Sequence, residues 1–213
     1  MDITGSMGPY LTQVQNSVIN IINRITLECP GIDINMGYIG YTEVCYVESN
    51  QNIEFTKSYQ DLEKRIKDVR VDVQLVESFP CKLDRPEDMA WAMERALEKN
   101  WKSNARFAIL LADESCHGYK YHSSDIVDYY PDGGPNRINI EVLIRNMAEK
   151  NISLFCARIT PYTDIMFGIF EDIYNYYTSC KFKVVPLKSD IYLSDTVVDS
   201  AADIYVSQRD LDN

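Results

Sequence analysis

The first six residues, Met1-Asp2-Ile3-Thr4-Gly5-Ser6, put one carboxylate and two hydroxyls at alternate positions on a turn that runs into a helix. A compact set of hard oxygen donors suits Mg²⁺ or Mn²⁺. Further oxygens must come from elsewhere in the chain. Asp113 closes the apolar run Phe107-Ala108-Ile109-Leu110-Leu111-Ala112, and Asp84 opens Asp84-Arg85-Pro86-Glu87 ahead of a helical pattern. Asp2, Thr4, Ser6, Asp84 and Asp113 are therefore the candidate metal residues. Each aspartate has a competing role: Asp2 as an exposed terminal carboxylate, Asp113 as a strand-end turn residue, and Asp84 as a helix cap, since Asp-x-x-Glu makes a capping box.

A second cluster offers different chemistry. Cys116, His117 and His122, with Asp125 and Asp128 nearby, are zinc-type donors, although their spacing matches no standard zinc motif. Histidines in such loops more often fasten the loop by hydrogen bonds.

These residues need a scaffold that brings distant turns to one rim. Leu11, Val14, Val18, Ile21, Ile22 and Ile25 recur at helical spacing, which predicts a helix over 8–28 with Pro9 near its first turn, stopped by Pro30-Gly31. Strands are predicted at 32–41, 53–55, 107–112, 152–159 and 181–186, and helices from Ser58 to Asp68, from Asp84 onward, at 138–150, at 162–177 and near 195–207. The stretch 75–83 and the polar segment 114–136 read as loops. Strands alternating with helices imply a doubly wound, mainly parallel α/β sheet with flanking helices, in which ligands sit beyond the carboxyl ends of the strands.

At 213 residues the chain fits a single domain, with a core over about 2–187. Its net charge of −11 argues against nucleic-acid binding, which needs clustered Lys and Arg. Cations and basic partners are favoured instead, and an acidic surface also serves solubility. No apolar run approaches the roughly 20 residues of a membrane span. The six cysteines form no Cys-x-x-Cys pair and follow no signal peptide, so they read as cytosolic thiols and the protein as cytoplasmic.

Asp2-x-Thr4-x-Ser6 followed by Met7 resembles the metal-ion-dependent adhesion motif (MIDAS) of von Willebrand factor A (vWA) domains, written Asp-x-Ser-x-Ser. The resemblance implies three loops at the top of a Rossmann-like sheet: the motif itself, a Thr just before a helix, and an Asp after the next hydrophobic strand. Asp113 fits the third loop. The second departs, since Leu83-Asp84-Arg85-Pro86-Glu87-Asp88 stands where the Thr is expected, and Asp84 is the residue placed there. A third carboxylate would neutralise the cation more fully, which weakens capture of an acidic partner. The segment Asp113-Glu114-Ser115-Cys116-His117-Gly118-Tyr119-Lys120-Tyr121-His122, followed by Asp128-Tyr129-Tyr130-Pro131-Asp132-Gly133-Gly134-Pro135, is similar to the A domains found beside alpha-kinases in protists and fungi. That likeness extends over residues 2 to about 187 and implies an intracellular, noncatalytic protein-interaction module.

Enzyme readings fare poorly. The kinase itself is missing, because no Gly-rich phosphate loop with a following Lys strand occurs. Asp-Ile-Thr-Gly-Ser is not the Asp-Thr-Gly-Ser of aspartic proteases and has no second copy, and no Gly-x-Ser-x-Gly elbow is present. The expectation is thus a nonenzymatic interaction module using Mg²⁺ (or Mn²⁺). Its rivals are a zinc or redox role centred on Cys116, His117 and His122, or a decayed vWA scaffold without metal. In the resembled fold, the strand leading into the metal motif lies between those at 32–41 and 106–112, yet only Met1 precedes Asp2. The sequence therefore predicts a missing first central strand, hence a marginal monomer, a strand donated by another chain in an oligomer, or an incomplete gene product.

Overall fold

Along β3 (Phe107–Ala112) and β4 (Ser153–Arg158), neighbouring side chains enter opposite cores. Leu110, Ala112, Leu154 and Cys156 pack into one hydrophobic cluster, whereas Leu111, Phe155 and Ala157 pack into the other. Successive strand residues face opposite sides of a sheet, so these near-continuous apolar runs require cover on both faces. Helices α3 (Met89–Glu98), α4 (Ile140–Glu149) and α5 (Asp164–Tyr174) cover the first face through Met89, Met93, Ile144, Met147, Phe167 and Phe170. On the second face lie α1 (Leu11–Glu28) and α2 (Tyr59–Asp68), through Val14, Ile21, Ile22, Leu62 and Ile66. The computed structural model describes residues 1–28, 31, 33–71, 84–134, 138–187 and 194–199.

Strands β3, β4 and β5 (Phe182–Pro186) form a parallel sheet in that order, while β1 (Met36–Gly40) and β2 (Gln51–Thr56) pair antiparallel. Residues 1–3 join the two. The Asp2 N–H donates to the Leu111 carbonyl at 2.9 Å, the Ile3 N–H to the Tyr41 carbonyl at 3.0 Å, and the Tyr41 N–H to the Met1 carbonyl at 3.1 Å. The Met1 ammonium donates to the Ile39 carbonyl at 2.8 Å. Met1–Ile3 thus hold the position, between β1 and β3, that the sequence assigns to the strand entering the metal motif.

The α/β architecture expected from the sequence is present, with boundaries that differ locally. Strand β1 begins at Met36, after the polar residues Asp33 and Asn35, and α1 begins at Leu11 after a 3-10 turn at Gly5–Met7. Helix α3 begins at Met89 with Asp88 as its cap, the Asp88 carboxylate accepting from the Trp91 N–H at 3.2 Å. The Asp84-x-x-Glu87 capping box is therefore not formed. Residues 194–199 are helical, as expected of the last helix. The predicted loop at 75–83 and the remainder of the last helix lie outside the described residues. Cys116, Cys156 and Cys180 are free thiols, but Cys45 is disulfide-bonded, which corrects the expectation of thiols throughout. Among the described residues no helix is long and apolar enough to cross a membrane.

Candidate metal centre

The opening motif works by alternation. Met1, Ile3 and Met7 are buried in the second core, which turns the intervening Asp2, Thr4 and Ser6 toward the rim. Asp2 Oδ1 accepts from the Thr4 N–H at 2.9 Å and from the Thr4 hydroxyl at 2.7 Å, closing a tight turn that hands the chain to the 3-10 segment. Thr4 Oγ1 lies 3.0 Å from Ser6 Oγ, and Ser6 Oγ donates to Asp113 Oδ1 at 3.2 Å. Asp113 sits at the carboxyl end of β3, and its backbone carbonyl accepts from the Thr160 hydroxyl beyond the end of β4. Four of the five sequence candidates, Asp2, Thr4, Ser6 and Asp113, thus form one connected group.

The third carboxylate beside them is Glu87, which the sequence reading passed over. It is buried two residues before α3, and its N–H donates to the Ser115 carbonyl at 2.9 Å, tying it to the segment after Asp113. Burial, then the charges of Asp2 and Glu43, push its carboxyl well above the usual range, against a hydrogen bond with Thr4. Burial and the neighbouring Asp113 raise Asp2 to about 7. Burial likewise raises Asp113, against the hydrogen bond from Ser6. Asp2 Oδ2 and Glu87 Oε2 are buried without a hydrogen-bond partner. Like charges gathered around unsatisfied oxygens are the condition that a divalent cation relieves, and the all-oxygen donor set fits Mg²⁺ or Mn²⁺.

Asp84 goes elsewhere. Its Oδ2 accepts from the Tyr129 N–H, and one oxygen each of Glu43 and Asp84 and one ring nitrogen of His117 lie within 4.8 Å of one another, a group able to hold a metal ion. His117 Nε2 is 3.1 Å from Glu43 Oε1, and its Nδ1 is 2.9 Å from Asp128 Oδ1. Burial alone would lower the His117 pKa, but hydrogen bonds and charge from Glu43 and Asp128 raise it to about 9. Asp84 is raised to about 6 by burial, partly opposed by the Tyr129 N–H.

The Cys116-His117-His122 trio is split. Cys116 is buried in the first core, where desolvation raises its thiol far above the ordinary value, and its N–H donates to Met166 Sδ at 3.2 Å. His117 and His122 both turn to Asp128, His122 Nε2 lying 3.1 Å from Asp128 Oδ2. The loop closes there because Gly118 adopts φ +121°, which lets its N–H donate to Asp128 Oδ2 at 2.7 Å; a Cβ at Gly118 would stand 2.6 Å from the Tyr121 ring. His122 thus fastens the loop, as histidines in such segments commonly do.

A sheet with helices on both faces, its strands parallel from β3 to β5, gives the chain a vWA-like fold. The crystal structure of the SpRpn10 VWA domain superposes with a TM-score of 0.51 over 93% of this chain and 90% of that one, at 18% identity. In sequence, the chain is 30% identical over 162 residues to "Alpha-protein kinase vwkA" of Dictyostelium discoideum. The match takes in 75% of this chain and 24% of that protein, so the chain spans about a quarter of the length of this curated relative. No family model matches.

Proposed function

We propose that this chain is a noncatalytic protein-interaction module whose contact surface is organised by a divalent cation, Mg²⁺ in preference to Ca²⁺. Asp2, Thr4, Ser6 and Asp113 hold the cation, and Glu87 takes the place first given to Asp84. The observation that carries this reading is the contiguous line of oxygens from Asp2 through Thr4 and Ser6 to Asp113, at successive separations of 2.7, 3.0 and 3.2 Å, flanked by unpartnered buried oxygens on Asp2 and Glu87. Few protein donors with room for waters suit the smaller ion. When bound, the cation supplies positive charge that offsets three crowded carboxylates.

Three carboxylates exceed the charge of a divalent ion. A single partner carboxylate is therefore a poor anchor, and the partner surface is expected to contribute neutral polar groups instead. The fold of the SpRpn10 VWA domain and the similarity to part of an alpha-protein kinase support an accessory binding role. Kinase activity is not part of the proposal. The test is a pull-down from lysate with wild type and Asp113→Ala, in Mg²⁺, in chelator, and after Mg²⁺ is restored. Partners retained in Mg²⁺, released by chelator, regained on restoration and absent from Asp113→Ala support the reading. Retention indifferent to all of these would replace it with a scaffold that uses no cation.

A further inference from the structure

The Glu43-Asp84-His117 group adjoins the oxygen-only rim, the charge of Glu43 reaching Glu87, and three loops contribute to it. Glu43 follows β1, Asp84 precedes α3, and His117 follows β3. Two of its carboxylate oxygens, Glu43 Oε2 and Asp84 Oδ1, are buried with no hydrogen-bond partner, and the Glu43 side chain is only 5% exposed. Buried polar atoms are satisfied in the great majority of cases, so two oxygens without a protein partner beside one imidazole are suited to a cation.

The histidine is prepared for such a role. Asp128 is fixed by the Gly118 N–H at 2.7 Å, the Tyr130 N–H at 2.8 Å and His122 Nε2 at 3.1 Å, and it engages His117 Nδ1 at 2.9 Å. A carboxylate on one ring nitrogen orients the imidazole and leaves the other as ligand, the usual support of a metal-bound histidine. That other nitrogen, Nε2, faces Glu43. One imidazole with two carboxylates favours a borderline ion such as Zn²⁺ over Mg²⁺ or Ca²⁺, which prefer oxygen alone. Ligand atoms around tetrahedral zinc stand about 3.3 Å apart, so drawing the group in from within 4.8 Å takes side-chain movement of roughly an ångström. Asp84, the least buried of the three, has the freedom to supply it.

We propose that Glu43, Asp84 and His117 form a second cation site, for Zn²⁺, with Asp128 as the positioning residue, and that the ion pins the Cys116–Tyr130 loop to the segment before α3. The site shares no residue with the Mg²⁺ reading above and does not rest on it. Zinc retained by the whole chain through dialysis is measured by elemental analysis, and Co²⁺ is then titrated as a spectroscopic probe. The expected result is one Zn²⁺ per chain in wild type and equally in Asp113→Ala. Asp128→Asn should weaken affinity roughly 10- to 100-fold, and Asp84→Asn by at least as much. Co²⁺ should show the absorption of a four- or five-coordinate ion, lost in His117→Gln. Circular dichroism establishes that each variant is folded, and Asp84→Asn gives the decisive comparison if His117→Gln is not. The proposal is overturned if wild type retains no zinc, or if folded Asp84→Asn binds it as tightly as wild type. In either case His117 acts only as an imidazolium between Glu43 and Asp128.

Discussion

In the absence of cations, protonation of Asp2 should stabilise this protein, and Mg²⁺ should substitute for that proton as the pH rises. Burial and Asp113 raise Asp2 from 3.8 to about 7 in the folded state, so the folded chain binds that proton more tightly than the unfolded chain does. The resulting stability is fully present below pH 3.8 and is lost as the pH rises through about 7. Some three pKa units at 1.36 kcal/mol each amount to roughly 4 kcal/mol, a large part of a typical folding margin of about 5–15 kcal/mol. His117, raised from 6.5 to about 9, loses its own contribution at higher pH, so the difference between wild type and Asp2→Asn isolates Asp2. Urea unfolding in chelator from pH 4 to 8 should show the stability of wild type relative to Asp2→Asn falling across the window. Added Mg²⁺ should do little near pH 4 and restore most of the loss at pH 8, because it binds the ionised carboxylates. Identical pH profiles for wild type and Asp2→Asn, or a Mg²⁺ effect of equal size at both ends, would refute the reasoning.

Three further outcomes follow from the same geometry. Glu87→Gln removes one of the crowded charges, so at pH 8 the metal-free protein should gain stability while Mg²⁺ affinity falls, both readable by denaturation and calorimetry; unchanged affinity would place Glu87 outside the site. Phe170→Ala should cost about 3–5 kcal/mol in urea unfolding, since the ring is fully buried in the first core, and a cost near zero would mean that the α5 packing is wrong. Lys99→Met deprives the Ile53 carbonyl of a donor at 2.9 Å and Asn52 Oδ1 of one at 2.6 Å, so it should destabilise by about 1–3 kcal/mol and speed amide exchange in β2; protection equal to wild type would contradict it.

The sheet was legible in the sequence because its strands are apolar on both faces and its helices carry clear 3.6-residue patterns, as in α1 and β3–β5. Asp2, Thr4, Ser6 and Asp113 could be grouped because alternation and a strand end fix where such side chains point. Glu87 was missed for a local reason. Three carboxylates, at 84, 87 and 88, lie within five residues, and taking Asp84 as the start of the helix shifted the boundary by four positions. The signal that would have found Glu87 is that the second-loop ligand stands just before the helix, whose cap is Asp88. The grouping of Glu43 with His117 had no sequence signal. The two residues are 74 positions apart and meet only because β1 and β3 end on the same side of the sheet.

The hydrogen bonds of residues 1–3 give the rim a mechanical meaning. The amide of Asp2 grips β3 and the amide of Ile3, one residue on, grips the chain leaving β1, so the segment presenting the carboxylate is also the seam between the two strand groups. A force applied by a docked protein at Asp2 is therefore divided between both halves of the domain rather than borne by a free loop. Slowed deuterium uptake at those two amides would report engagement of the rim from inside the sheet.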